Sequence, residues 1–505
     1  MKKYAKNFLA NALRSASIGC DDTPFLTLTD KELSYGAFFE NAEKLAAVMV
    51  SNGVKAGDRV AVQAPKTGAM LELYIAIILV GGVFLPLNPE YTIDEVSYFL
   101  GDAKPKVLVC DPDRFVELNL IAINFDVGCV LTLGEDEGGT LTEQREQALP
   151  GFVPVERSGE DLAAILYTSG TTGRSKGAML SHAALASNSE TLRQYWKFTS
   201  EDVLIHALPI FHTHGLFVAT NVSLMAGSSC IFMPRFDQSQ IVDAMPKATV
   251  LMGVPTFYVR LLNEKKLKKA AENMRLFVSG SAPLLSETHR HWREITGHNI
   301  LERYGMTETN MNTSNPYDGE RRPGTVGFPL PGVELKVREP ETGLDLETDK
   351  VGVIEVRGSN LFKGYWNMPE KTAQEFREDG FFITGDLGKI DVDGYVHILG
   401  RDKDLIISGG FNVYPKEVET LIDDLDGVVE SAVIGVPHRD LGEAVIAVVV
   451  STSVAPDFVM IGLDGKIARF KQPKKVFVVD SLPRNTMGKV QKNQLRKRYF
   501  STWGA

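Results

Sequence analysis

The stretch LAAILYTSGTTGRSKG, Leu162 to Gly177, decides how the chain is read. Its first five residues, Leu162–Leu166, have the composition of a buried strand, and a loop of hydroxyls and glycines follows. Gly170, Gly173 and Gly177 permit positive φ and close backbone approach. Thr168, Ser169, Thr171 and Thr172 line the loop with hydroxyls and free amides, and Lys176 adds positive charge, a combination suited to phosphate. It is not the GxxxxGK[ST] loop, because Ser175 stands where the second glycine belongs. Taken alone it has two readings, a flexible Ser/Thr/Gly linker or an anion cradle.

Outward from this loop the chain alternates strand and helix signals. Arg59–Gln63, Val83–Leu87 and Val107–Cys110 read as strands, and Gly68–Val80 as a helix. Thr92-Ile-Asp-Glu95 is a capping box, in which hydroxyl and carboxylate satisfy orphan amides at a helix start. The rhythm returns at Val203–Ala207, Ser228–Met233, Val250–Gly253 and Leu276–Ser279. It predicts an α/β fold of parallel sheets covered by helices. From Gly332 the texture changes to short strands at Val333–Arg338, Gly352–Val356, Phe381–Thr384, Leu387–Asp391 and Tyr395–Gly400, a β-rich subdomain over about 332–402. A helix (Lys416–Leu425) and strands (Glu430–Val436, Val445–Val450) then predict a small α+β domain. The expected division is an N-terminal domain, 1–402, and a C-terminal domain, 403–505, parted between Asp402 and Lys403.

The bulk properties agree and exclude other classes. A chain of 505 residues, 44% apolar and 23% charged, is neither disordered, collagen-like nor coiled-coil. At about 100–200 residues per domain it holds two to four domains. A net charge of −10 argues against general binding to nucleic acid or a membrane surface. Cys20, Cys110, Cys129 and Cys230 are dispersed, which fits a reducing, cytoplasmic setting better than a zinc ribbon or disulfide framework. Met1–Cys20 lacks a continuous apolar core and reads as a first surface helix, with a short amphipathic transit peptide as the alternative. The strongly apolar uncharged stretch Leu73–Pro89 is broken by Gly81, Gly82 and Pro86 before it spans the ~20 residues of a bilayer helix.

Three further clusters carry chemistry-bearing groups. Thr307-Glu308 sets a hydroxyl beside a carboxylate, a pair suited to phosphate and a hard cation such as Mg²⁺. Thr384-Gly385-Asp386 offers one carboxylate for two ribose hydroxyls, and Pro483-Arg484-Asn485-Thr486-Met487-Gly488-Lys489 offers a lysine on a loop. Read singly, these are better explained as a helix cap, a turn aspartate and a solvated charge.

Read together, they form a recognisable series: TSGTTGRSKG (168–177), LPIFHTHG (208–215), SGSAP (279–283), ERYGMTET (302–309), TGD (384–386), GRDKD (400–404), GGFNVYPKEVE (409–419) and PRNTMGKV (483–490). In this order they resemble the adenylate-forming superfamily of acyl-CoA synthetases, luciferases and peptide-synthetase adenylation domains. The resemblance covers most of the chain from residue 160 onward; the first 150 residues fit by pattern alone. It implies a large N-terminal domain, a small mobile C-terminal one, and two steps. A carboxylate attacks the α-phosphate of ATP, and coenzyme A then displaces AMP.

The resemblance also implies roles. The loop Thr168, Ser169, Gly170, Thr171, Thr172, Gly173 and Lys176 would orient the β- and γ-phosphates. Thr307 would bind the α-phosphate and Glu308 would hold Mg²⁺. Tyr304, followed by Gly305, would stack on adenine, with Gly280, Ser281 and Ala282 opposite. Asp386 and Arg401 would hold the ribose, and Lys489 would bridge the attacking carboxylate and the α-phosphate. The C-terminal domain would rotate about Lys403, withdrawing Lys489 and bringing the Gly409-Gly410 loop to the site for the thiol.

One departure speaks to the acid. Where many relatives that use aromatic or long acids carry glycine before Tyr-Gly-Met-Thr-Glu, this chain has Arg303. A guanidinium there shortens the acyl pocket and needs a partner, which a second substrate carboxylate would supply. His212 is a further donor, and Met306 is a candidate to limit an α-substituent. ERYGMTETNMNTS with LPIFHTHGLF resembles malonyl-CoA synthetases, which implies malonate, or methylmalonate, as substrate. The competing expectation is an ion pair of Arg303 with Glu302 or another pocket carboxylate, leaving a short monocarboxylate as substrate. A peptide-synthetase-type domain is disfavoured because Phe236-Asp237-Gln238-Ser239 matches its pocket pattern poorly. Nothing marks oxygen chemistry of the luciferase kind. The partners implied are therefore small molecules, with no nucleic acid and no membrane.

The charge is uneven. Residues 466–498 hold eleven Lys/Arg and one acidic residue, so this segment is +10 and the rest of the chain −20. Its position around Lys489 suggests a local positive field for ATP carried on the C-terminal domain.

Overall fold

The helix Gly68–Leu79 has every residue buried, as an element apolar on all sides must. It lies in a shared core whose buried side chains come from two large sheets. The computed structural model describes residues 3–168, 175–409, 411–485 and 488–503. Among these, one sheet has six strands, containing Arg59–Gln63, Val83–Pro86, Val107–Cys110 and Leu162–Thr168. A second has nine, including Val203–His206, Ser229–Phe232, Val250–Gly253, Leu276–Ser279 and Leu301–Met306. The pairings among these strands are parallel, as the βα rhythm requires. The capping box at Thr92 and Glu95 is formed in full. The N-terminal helix, Phe8–Ser15, buries Leu9, Ala10 and Leu13.

The β-rich region is a four-stranded antiparallel sheet from Val333 to Arg401. A fourth sheet takes all its strands from Ile406–Ser408 to Lys475–Val479 and has its own two apolar clusters. Two details differ from expectation. Phe381–Thr384 and Leu387–Asp391 are one strand, Phe382–Ile390; Gly385, at φ +67°, bends it without ending it. Lys176–Ser181 is a strand antiparallel to Leu162–Thr168, so the glycine-rich segment joins the two arms of a hairpin. No helix among the described residues is long and apolar enough to cross a membrane.

Candidate active site

The carboxyl ends of Val203–His206, Val250–Gly253 and Leu276–Ser279, with the strand Leu301–Met306 beside them, form one edge. Ligands of open α/β sheets bind at such edges. On one side Asp386 and Arg401 face each other across two strands, and Arg401 Nε lies 2.8 Å from Asp386 Oδ1. The Tyr304 hydroxyl donates to the same carboxylate, and Arg401 Nη1 donates to the Thr384 carbonyl at 3.2 Å. Asp386 is thus no turn residue; it joins the strand bearing Tyr304 to the β-rich sheet.

Beside it, Glu308 is buried at the turn that follows Tyr304, Gly305 and Met306, with Thr307 half-buried next to it. The Tyr365 hydroxyl donates to Glu308 Oε1 at 3.0 Å, and Lys176 Nζ lies 4.0 Å from the centre of the Tyr365 ring. Lys176 also approaches Glu375 at 3.5 Å. Burial raises the Glu308 carboxyl above its ordinary range, against the Tyr365 bond and the charges of Arg401 and Lys176. Thr168 and Lys176 pair directly and close the hairpin; Ser169, Gly170, Thr171, Thr172 and Gly173 lie outside the described residues.

Arg303 is the group from which an acyl side was expected. Its side chain is 4% exposed, and Nε and Nη2 have no hydrogen-bond partner among the described residues. The expected alternative, a pair with Glu302, is not formed, because successive residues of a strand point to opposite faces. Glu302 instead accepts from the Gly324 amide at 3.2 Å, and burial pushes its carboxyl up to about 8. Burial also lowers Arg303 to about 9, so the guanidinium stays charged at neutral pH. It lies flat on Gly280, where a Cβ would stand 2.3 Å from Cζ. Thus Gly280 borders the acyl side. Ser281, at φ +71°, brings its hydroxyl 3.3 Å from His214 Nδ1, and Ala282 follows it, half-buried. His212 and His214 each keep an unpartnered Nε2, and burial drives His212 down to about 3. Among the described residues, the titratable groups that interact with Arg303 are His214, Lys489 and the Tyr258 phenol, and none is a carboxylate.

Lys489 reaches this site from the last sheet's unit. Burial and Arg401 lower its ammonium, while Asp386 and Glu308 favour the charge; His212 feels it in turn. Protein atoms crowd the ammonium although the residue as a whole keeps access to solvent. A Cβ on neighbouring Gly488 would lie 3.6 Å from Thr256. Arg290 and Asp424 add an ion pair between the two units at 3.7 Å. Lys403 sits in the short turn Asp402–Asp404, and Arg496 holds Asp404 at 2.6 Å. Gly409 bonds to the Leu441 carbonyl at 2.9 Å within the C-terminal sheet, and Gly410 lies outside the described residues. Four cations of the basic segment pair with carboxylates of their own unit: Lys471, Arg484, Lys492 and Arg496. The positive field expected there is correspondingly smaller.

Tyr365 and Glu375 escape sequence reasoning. LFKGYW, residues 361–366, reads as an apolar core segment, and only the fold carries its tyrosine to Glu308.

Residues 14–366 match the AMP-binding enzyme family, and residues 417–489 match the AMP-binding enzyme C-terminal domain. A malonate–CoA ligase of Arabidopsis thaliana is 34% identical over 96% of this chain and 88% of its own. The crystal structure of ATP-bound MatB from Rhodopseudomonas palustris is 58% identical, with a TM-score of 0.95 over 98% of this chain and 99% of that one. The apo form of MatB, 57% identical over 99% and 100% of the two chains, gives 0.86. The arrangement of the whole chain is thus nearer the ATP-bound form. By sequence, fold and relatives, the chain belongs to the adenylate-forming AMP-binding enzymes and is an AMP-forming acid–thiol ligase akin to the malonyl-CoA synthetases.

Proposed function

We propose that the enzyme joins malonate to coenzyme A through malonyl-adenylate, in a cytoplasmic setting, and that methylmalonate is a second candidate acid. One observation carries the choice of acid: Arg303 is buried and charged, lies near His214, and has no carboxylate partner among the described residues. A dicarboxylate supplies the missing anion at one end and leaves its other carboxylate for reaction. Malonate is short enough for a pocket closed by a guanidinium.

In the first step a carboxylate oxygen attacks the α-phosphorus, the bond to the bridging oxygen breaks, and pyrophosphate leaves. Two anions must meet, so charge neutralisation lowers the barrier. Lys489 would hold the attacking carboxylate and the α-phosphate, Thr307 would donate to that phosphate, and the 168–176 hairpin with Lys176 would orient the rest. Tyr304 would face adenine, and Asp386 would accept from the ribose. Glu308 is a buried carboxylate suited to Mg²⁺, and no cluster of three or more metal-binding side chains occurs among the described residues. That suits a cation which takes most of its ligands from phosphate and water; it would neutralise phosphate charge. In the second step the thiol attacks the acyl carbonyl and AMP leaves. The unit from residue 403 onward would turn about Lys403, removing Lys489 and presenting Gly409 and Gly410 to the pantetheine chain.

The test is AMP and thioester release with ATP, Mg²⁺ and coenzyme A across mono- and dicarboxylic acids of two to six carbons. Malonate should give the highest kcat/KM. Preference for acetate or another monocarboxylate would overturn the reading.

A further inference from the structure

Beneath the acyl pocket runs a polar chain that the reaction does not use. Lys66, just ahead of the helix Gly68–Leu79, points its amino group at three acceptors, His206 Nδ1 at 3.2 Å, the His206 carbonyl at 2.7 Å and the Met233 carbonyl at 2.6 Å, and burial lowers it well below the usual lysine range. It also lies 4.3 Å from the centre of the Phe232 ring. No carboxylate pairs with it among the described residues. His206 ends its strand and is 1% exposed; its Nε2 lies 2.9 Å from the Gly215 carbonyl. A carbonyl only accepts, so Nε2 carries the proton. Burial keeps the ring neutral, which leaves Nδ1 to accept from Lys66.

The Thr220 hydroxyl donates to the same Gly215 carbonyl at 3.0 Å. Gly215 opens the wide, π-type helical turn His214–Thr220, a geometry often found at functional sites. The turn is closed tightly: a Cβ on Gly215 would stand 2.0 Å from the Pro209 carbonyl. Residues 206–215 are therefore a clasp whose two ends meet where His206 reaches the Gly215 carbonyl, with the Thr220 hydroxyl bracing that carbonyl. His212 and His214 ride on this clasp; His214 lies within reach of the Arg303 charge and His212 within reach of Lys489.

We propose that Lys66 and His206 are positioning residues that fix this clasp so that His212 and His214 face the substrate's remote carboxylate, and that they thereby set the preference for dicarboxylic over monocarboxylic acids. The inference rests on the dicarboxylate reading above. Neither residue touches substrate; Lys66 acts through the His206 tautomer, and His206 through the Gly215 carbonyl. A merely structural clasp predicts something different: loss of stability, and equal loss with every acid.

Lys66→Met keeps the stem and removes the donors; Lys66→Arg restores donors. Lys66→Met should raise the malonate KM about tenfold, with kcat, the ATP KM and the KM of the best monocarboxylate within about threefold of wild type. Lys66→Arg should recover most of the loss. His206→Gln, which can still donate to Gly215, should lie nearer wild type than His206→Ala. That second pair decides the matter on the same readouts if Lys66→Met does not fold. Equal losses for malonate and the monocarboxylate, or an unchanged malonate KM in both Lys66→Met and His206→Ala, would overturn the proposal. Wild type is assayed first: failure to use malonate refutes the dicarboxylate reading. The positioning claim then falls if the variants leave the KM of the preferred acid unchanged.

Discussion

A buried guanidinium carries a desolvation cost of several kcal/mol, and no carboxylate among the described residues offsets it at Arg303. Gly280 leaves room for the flat face of the ion. Gly280→Ala places a methyl 2.3 Å from Cζ, so the guanidinium must move. Such crowding costs about 1–3 kcal/mol, or roughly fivefold to 150-fold if it falls on binding. The malonate KM should rise by about that factor, with the ATP KM changed far less; steady-state kinetics with each substrate varied check the split.

At the scale of elements, the first helix, Phe8–Ser15, is tied to His182, the first residue of the helix His182–Tyr195. The Leu9 amide donates to His182 Nδ1 at 3.3 Å, and burial holds that imidazole down at about 4 against its ordinary 6.5. The folded state therefore keeps the ring neutral, and the unfolded state binds the extra proton. Its contribution to stability is complete above about pH 6.5, falls as pH drops toward 4, and levels below that. The shift from 6.5 to about 4 corresponds to about 3 kcal/mol. His182→Gln keeps an acceptor and cannot titrate. The wild-type-minus-variant difference in unfolding free energy should fall across that window in urea titrations; a flat difference contradicts the assignment.

Short apolar strands such as Val107–Cys110, Val250–Gly253 and Leu276–Ser279 were legible residue for residue, since burial on both faces leaves a continuous apolar run. The hairpin arm Lys176–Ser181 was not, because KGAMLS opens on charge and glycine. Motifs located Tyr304, Glu308, Asp386, Arg401 and Lys489 without geometry. The unpaired state of Arg303 needed the strand, whose alternation turns Glu302 away. Lys66, His206 and Tyr365 sit in unremarkable local sequence and gain their meaning only from tertiary contact.

Across the whole molecule, the arrangement has Lys489 directed at Asp386, Glu308 and His212, and it matches ATP-bound MatB better than apo MatB. This is the placement that the proposed first step would use. Lys489→Ala should cut malonyl-adenylate formation by about 10²-fold or more while sparing thioester formation from supplied adenylate. Equal loss in both half-reactions would remove Lys489 from the first step alone.

In the proposed reaction the Arg303 charge selects the acid, and Arg303→Ala tests that most directly. We predict that kcat/KM for malonate falls at least about 10²-fold while that for neutral-tailed acids of similar length is unchanged or higher, so that the preference inverts. If malonate and the neutral-tailed acids fall together, or malonate is still preferred, the guanidinium does not read the second carboxylate and the account is wrong.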